Sequence, residues 1–299
     1  MKLADIMLRA KSHSKQTVSV AVAEDFEIKE AVTLALENDL ANFILFGNEQ
    51  KIQEMYVELL NNEDYIDRIK IVHTETIQEA AKRSVEAVSS GEASILMKGN
   101  LSTSILLKQV LNKEYGLRDK DVLSHVAMFE VPGWERSVFV TDAAMNIAPT
   151  LDQKVKIIEN SVKVAKGVGI ETPKVAVLAA VEVVNPSMQA TIEAATLTVM
   201  NARGQIKDCI VDGPLALDNA ISVEAAEHKG LSSPVAGNAD ILLVPTIETG
   251  NVLYKSLVFM ANAEVAALIA GAKAPIVLTS RSDSAMTKLY SLALAICNS

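Results

Sequence analysis

Three clusters in the C-terminal half of the chain place hydroxyls, amides, carboxylates and one guanidinium directly after apolar, strand-like runs. Residues 206–211 lead into Asp212-Gly213-Pro214, with Asp218 close behind. Residues 240–244 lead into Pro245-Thr246-Ile247-Glu248-Thr249-Gly250-Asn251, and residues 275–278 into Thr279-Ser280-Arg281-Ser282-Asp283. In an open α/β sheet, ligands bind beyond the carboxyl ends of the strands, so the clusters are expected to meet at one cleft. Helix-start amides hold anions, and a planar guanidinium suits a phosphoryl group or carboxylate. Phosphate and acyl chemistry is the reading these types support.

Each cluster also has a plainer reading. Ser282 or Ser284 could cap a helix and Arg281 could be a surface charge. Gly250 permits close backbone approach; Asn251 could cap a helix or bind ligand, and Lys255, four residues on, shares its helix face. Asp212 could ligate a metal, serve as a base or only order a turn. Lys98-Gly99-Asn100-Leu101-Ser102-Thr103 is a smaller phosphate-cradle pattern without the Walker spacing, so it implies no nucleotide-hydrolysing loop. Asp142 and Asn146 follow an expected antiparallel pair and either line the cleft or close a turn. His125, alone in a strand pattern, reads as a structural histidine with its hydrogen bonds satisfied. G-x-S-x-G, G-x-G-x-x-G and Cys/His pairs do not occur, so serine-hydrolase, dinucleotide-fingerprint and thiol-nucleophile readings lose support.

These clusters must be positioned by elements that alternate. Strand patterns at 18–23, 42–46, 69–73 and 93–97 alternate with helical patterns at 28–38, 49–60, 77–89 and 102–111, as in a parallel sheet with right-handed crossovers. Runs at 123–131 and 137–141, separated by a turn-rich spacer, predict an antiparallel pair. Helices are expected at 152–168, 187–202, 252–270 and 285–296, with strands at 174–180, 206–211, 241–244 and 276–278. The alternation breaks near Leu123. The expected organisation is therefore a first α/β domain of residues 1–123 plus 278–299 and a second of 124–277, with the cleft between them.

Composition narrows the class. The 299 residues are 49% hydrophobic but only 4% aromatic, so the core must be Ala, Val, Leu and Ile, as in a buried parallel sheet. A net charge of −9 argues against nucleic acid as a partner. Cys209 and Cys297 lack disulfide-framework or zinc-ligand spacing. With no signal-peptide pattern and no run of about 18 apolar residues, the expectation is a cytoplasmic protein without membrane association.

Taken in order, Asp212-Gly213-Pro214, Ser233-Pro234-Val235-Ala236-Gly237-Asn238-Ala239-Asp240, Gly250-Asn251 with Tyr254-Lys255, and Gly271, Pro275 and Ser280-Arg281 resemble the phosphate acetyl/butyryl transferase family. Met97-Lys98-Gly99-Asn100 and the stretch from Asp142 to Thr150 fit as well. The resemblance spans nearly the whole chain and is nearest the butyryl branch. It implies a two-domain α/β fold with mostly parallel sheets, like that of isocitrate and isopropylmalate dehydrogenases, and a homodimer. It implies the reaction acyl-CoA + phosphate to acyl phosphate + CoA, with CoA as substrate and no metal or redox cofactor. In related acetyl enzymes the Ser-Arg pair lies at the acyl-phosphate site, which points to Ser280 and Arg281, and an aspartate of the following helix acts as base. Here the acid, Asp283, stands only three residues past Ser280 and is the candidate base. The substrate-binding candidates are Lys98, Gly99, Asn100, Ser102, Thr103, Asp142, Asn146, Asp212, Gly250, Asn251 and Lys255. The mechanism expected is direct attack of the CoA thiolate on the acyl phosphate in a ternary complex. Three alternatives stand beside it: a phosphate acetyltransferase, a metal- and NAD-dependent decarboxylating dehydrogenase of the same fold, and a non-catalytic CoA- or phosphate-binding protein.

Overall fold

The computed structural model describes residues 1–119, 122–278 and 283–299. It opens with a helix not anticipated from the sequence patterns. α1 (Leu3–Ser12) buries Leu3, Ile6 and Ala10, an i, i+3, i+7 stripe too short to stand out among its polar neighbours. β1 (Gln16–Ala21), α2 (Phe26–Glu37), β2 (Ala41–Gly47), α3 (Glu49–Met55), α4 (Val57–Leu60), β3 (Ile69–His73), α5 (Ile77–Ser89), β4 (Ile95–Lys98) and α6 (Thr103–Val110) follow. The single helix expected over 49–60 is broken at Tyr56, whose fully buried ring turns inward and donates its hydroxyl to the Ala23 carbonyl at 3.1 Å.

The second run of elements starts with β5 (Ser124–Glu130) and β6 (Val138–Thr141), which pair antiparallel as the spacer predicts. α7 (Leu151–Gly167) begins at a Thr150/Gln153 capping box. Then come β7 (Lys174–Leu178), α8 (Gln189–Ala202), β8 (Ile210–Leu215), α9 (Leu217–Ile221), α10 (Val223–His228), β9 (Ile241–Leu243) and α11 (Ile247–Lys255). The chain closes with β10 (Glu264–Ala270), β11 (Ile276–Val277) and α12 (Ala285–Ile296).

These elements form two compact units. One holds Leu3–Asp121 and Ala266–Ser299, the other Met1–Lys2 and Val122–Val265. In the first, the strand order is β3-β2-β1-β4-β11-β10, parallel from β3 to β11, with β10 antiparallel to β11. α12 packs against α1 and α2 and is buried along most of its length. In the second, the order is β5-β6-β9-β7-β8, parallel from β6 to β8. Both cores are small aliphatic residues; Val18, Val20, Ile95, Leu96, Val140, Val175 and Ile241 have no exposed surface. Such strands, covered on both faces, read as continuous apolar runs.

Two expectations are corrected. The helix expected over 252–270 ends at Lys255; a π-helical turn, Ser256–Met260, and Asn262 in the left-handed region (φ 51°) then redirect the chain into β10. The run Glu-Val-Ala-Ala-Leu-Ile-Ala is apolar throughout, so its period does not separate a buried helix from a buried strand. The strand expected at 206–211 starts four residues later and runs through Asp212-Gly213-Pro214. Pro214 has no N–H to give a ladder, and β8 tolerates it as the end strand of its sheet.

Candidate functional site

The sequence clusters resolve into two groups, one in each unit. In the first unit, Lys98 is the last residue of β4 and its side chain is buried; its Nζ donates to the Gly99 carbonyl at 3.3 Å. Gly99 and Asn100 donate their backbone N–H to Ala21 and Val22 carbonyls at 2.9 and 2.8 Å, which zips the loop against the end of β1. A Cβ on Gly99 would stand 2.0 Å from the Val22 carbonyl oxygen, so only glycine allows this approach. Ser102 caps α6 by accepting from the Ile105 N–H at 3.3 Å, and Thr103 is the first residue of that helix. β11 runs parallel to β4, with Val277 opposite Met97, so Leu278 and Lys98 leave the sheet at the same end. Ser280 and Arg281 lie outside the described residues. Asp283 is half-buried, and its carbonyl accepts from the Lys288 ammonium of α12.

In the second unit, the carboxyl ends of β6 and β9 lie side by side: Thr141 pairs with Leu243, and the Val244 N–H reaches the Thr141 carbonyl at 2.9 Å. The buried Asp142 carboxylate organises the turn that follows. Its Oδ1 accepts from the Ala144 and Met145 N–H groups, each at 2.9 Å; its Oδ2 accepts from the Asn146 N–H at 3.2 Å and side-chain amide at 2.6 Å. The Asn146 amide also donates to the Leu123 carbonyl at 2.8 Å. The turn is thereby tied to the entry of β5.

α11 presses on this turn. Gly250 is buried, and a Cβ there would sit 2.5 Å from the Asp142 carbonyl oxygen and 2.9 Å from the Ala143 Cα. The Asn251 side-chain amide donates to the Ala143 carbonyl at 3.4 Å. Gly250 and Asn251 are therefore inside the helix; the N-cap position belongs to Thr246, and a capping role for Asn251 is ruled out. Lys255, at the last turn, is exposed on the same face as Asn251. At the helix start, the Glu248 carboxyl is held below its ordinary range by its own backbone N–H and by the Thr246 hydroxyl. Asp142, Asn146, Gly250 and Asn251 are thus brought together. Asp212 is not among them: it pairs with Ala176 in mid-strand on β8, two strands from β9, and its Oδ1 accepts from the Gly213 N–H at 2.9 Å.

His125 also belongs to this second group. It lies at the start of β5, and the antiparallel register carries it opposite Asp142. It is 6% exposed, yet among the described residues its Nδ1 has no hydrogen-bond partner. The expectation of a satisfied structural histidine fails on that atom. Burial pulls its pKa down and the Asp142 carboxylate pushes it back up. The Tyr254 ring of α11 stands 5.8 Å away at a tilt of 58°. Among the described residues, no group of three His, Cys, Asp or Glu side chains could hold a metal ion.

Residues 68–296 match the family described as phosphate acetyl/butaryl transferase. The chain belongs to that family. Over its full length, and 98% of the relative's, it is 56% identical to a protein of Bacillus subtilis (strain 168) named probable phosphate butyryltransferase. Among solved structures it is similar to a branched-chain phosphotransacylase from Enterococcus faecalis V583, with a TM-score of 0.83 and 41% identity over 95% of this chain and 98% of that one. A remoter likeness reaches the fold alone: a putative 4-hydroxythreonine-4-phosphate dehydrogenase from Salmonella typhimurium aligns with 96% of this chain and 100% of its own, at a TM-score of 0.60 and 13% identity. The dehydrogenase-like α/β class expected from the family resemblance agrees with that likeness. Within the family frame, the β4–α6 loop and the Asp142 turn under α11 are places where the described residues gather polar loop groups at strand ends.

Proposed function

We propose that this protein catalyses reversible transfer of a short acyl group between CoA and inorganic phosphate. The observation that carries the reading is similarity along the whole chain to the B. subtilis protein named probable phosphate butyryltransferase, joined to loops that gather polar groups at the carboxyl ends of parallel strands. In the forward direction the CoA sulfur attacks the carbonyl carbon of the acyl phosphate. The tetrahedral intermediate collapses, the carbon–oxygen bond to phosphate breaks, and acyl-CoA and phosphate leave. CoA is a substrate, and the balance of the reaction calls for no redox step.

Carried over by family resemblance, Ser280 and nearby amides supply oxyanion donors, each worth about 3 kcal/mol. Arg281 holds the phosphate and stabilises it as a leaving group. Asp142 and Asn146 shape the turn beneath α11, while Lys98–Thr103 offers the Ser102 and Thr103 hydroxyls and one ammonium to an anion. The protein works as a homodimer in the cytoplasm. The described residues contain no helix long and apolar enough to cross a membrane.

The decisive experiment is thiol release from butyryl-CoA with phosphate, run beside acetyl-CoA and isobutyryl-CoA. These chains differ by methylenes worth about 0.8 kcal/mol each when buried, so severalfold preferences are expected. Phosphate-dependent CoA release above the no-enzyme rate supports the reading; binding of CoA without turnover replaces it with a sensing role. Arg281→Ala is expected to lower kcat/KM for phosphate by two to three orders of magnitude while circular dichroism stays that of the parent. Unchanged kinetics would remove Arg281 from the site.

A further inference from the structure

Resting on the acyl-transfer reading, we propose that the His125 imidazole takes the proton from the CoA thiol. Buried polar atoms are nearly always hydrogen-bonded, because a structural side chain recovers its desolvation cost by pairing. His125 does not: it is 6% exposed, and its buried Nδ1 meets no partner among the described residues. Its position is also marked. β5 runs antiparallel to β6, so the start of β5 lies with the carboxyl ends of β6 and β9, where the Asp142 turn and α11 meet. Among the described residues, the titratable groups facing it are Asp142, from that turn, and Tyr254, from α11.

The chemistry favours an imidazole over a carboxylate. A free thiol has a pKa of about 8.5, an ordinary histidine about 6.5 and an aspartate about 3.9. Proton transfer to an imidazole of ordinary pKa is thus uphill by about two log units, and by more where burial lowers the ring's pKa, against more than four for an ordinary carboxylate. The desolvated ring is neutral and ready to accept, and the Asp142 carboxylate across the strand pair stabilises the imidazolium that forms. In the step itself the S–H bond breaks and an N–H bond forms on His125. The sulfur electron pair attacks the acyl carbon, and the C–O bonding pair leaves with phosphate, which takes the proton back from the imidazolium. In the reverse direction the imidazolium protonates the departing thiolate.

The test uses the full chain with His125→Asn and His125→Gln, their folding checked by circular dichroism and thermal melting. With butyryl phosphate and CoA at pH 7, kcat is expected to fall about 10²- to 10³-fold, with KM for CoA within threefold of the parent. The deficit should narrow above the thiol pKa of about 8.5, where thiolate forms unaided. Independently of any variant, the parent's kcat/KM should fall on the acid side with one proton and a midpoint below the ordinary histidine value. Variants within threefold of the parent, a deficit of equal size at every pH, or a parent profile flat from pH 5 to 7.5 would each overturn the proposal. A parent with no phosphate-dependent turnover overturns the acyl-transfer reading and this one with it. An active parent with active variants removes only the role of His125.

Discussion

A Cβ on Gly250 would lie 2.5 Å from the Asp142 carbonyl oxygen, 2.9 Å from the Ala143 Cα and 2.9 Å from Val244 Cγ2. Two of the three are backbone-held atoms that cannot swing aside, so Gly250→Ala must lift α11 off the turn. The expected cost is about 1–3 kcal/mol of stability, the usual range for overpacking, read from the urea midpoint. Activity should fall more than stability alone explains, because Asn251 and Tyr254 move with the helix. A glycine able to approach another backbone was legible in the sequence; what it approaches was not, since Asp142 stands 108 residues earlier in the chain. The same holds for Asn251, a cap by local pattern but a tether to the Ala143 carbonyl in fact. His125 shows the limit most clearly. Whether a ring nitrogen is satisfied depends on the atoms that tertiary packing brings to it.

Helix α12 illustrates what one element must arrange. Its Lys288 is 2% exposed, and its ammonium donates to the Glu27 carboxylate of α2 at 2.8 Å and to the Asp283 carbonyl that precedes α12. Lys288→Met keeps the aliphatic stem and removes both bonds. Glu27 is half-exposed and water can solvate it, so the expected loss is about 1–3 kcal/mol, that of hydrogen bonds made by a charged group. Glu27→Gln should lose clearly less. Equal losses measured by urea titration would show that the Asp283 carbonyl gains nothing from the ammonium. At this scale the alternating pattern located most strands and helices of the N-terminal half to within about two residues, because amphipathic helices and apolar strands differ in period. β10 escaped because a strand buried on both faces has no period to read.

Across the molecule, packing buries the Cys297 thiol and half-buries that of Cys209. Burial pushes Cys209 and Cys297 each up to about 11 from an ordinary value of 9.0. The neutral thiol is favoured in the folded state, so this contribution to stability is present below pH 9 and is lost as pH rises toward 11. Both cysteines should therefore react slowly with a thiol reagent at pH 8 in the folded protein and rapidly in denaturant. The alkaline loss of stability should shrink in a Cys209→Ala, Cys297→Ala double variant; fast labelling of the folded chain would contradict the shielding. Composition alone determined the class of this protein, because 49% hydrophobic and 4% aromatic residues can be buried efficiently only by aliphatic sheets flanked by helices. Ordered motifs determined the family, since their residue types and sequence order survive without coordinates. Tertiary structure alone decided that Asp142 spends its carboxylate on its own turn, that Asp212 sits in mid-strand, and that His125, near Asp142, keeps an Nδ1 with no partner among the described residues. Those are properties of distance between residues remote in sequence, and distance is set by how strands register and helices pack.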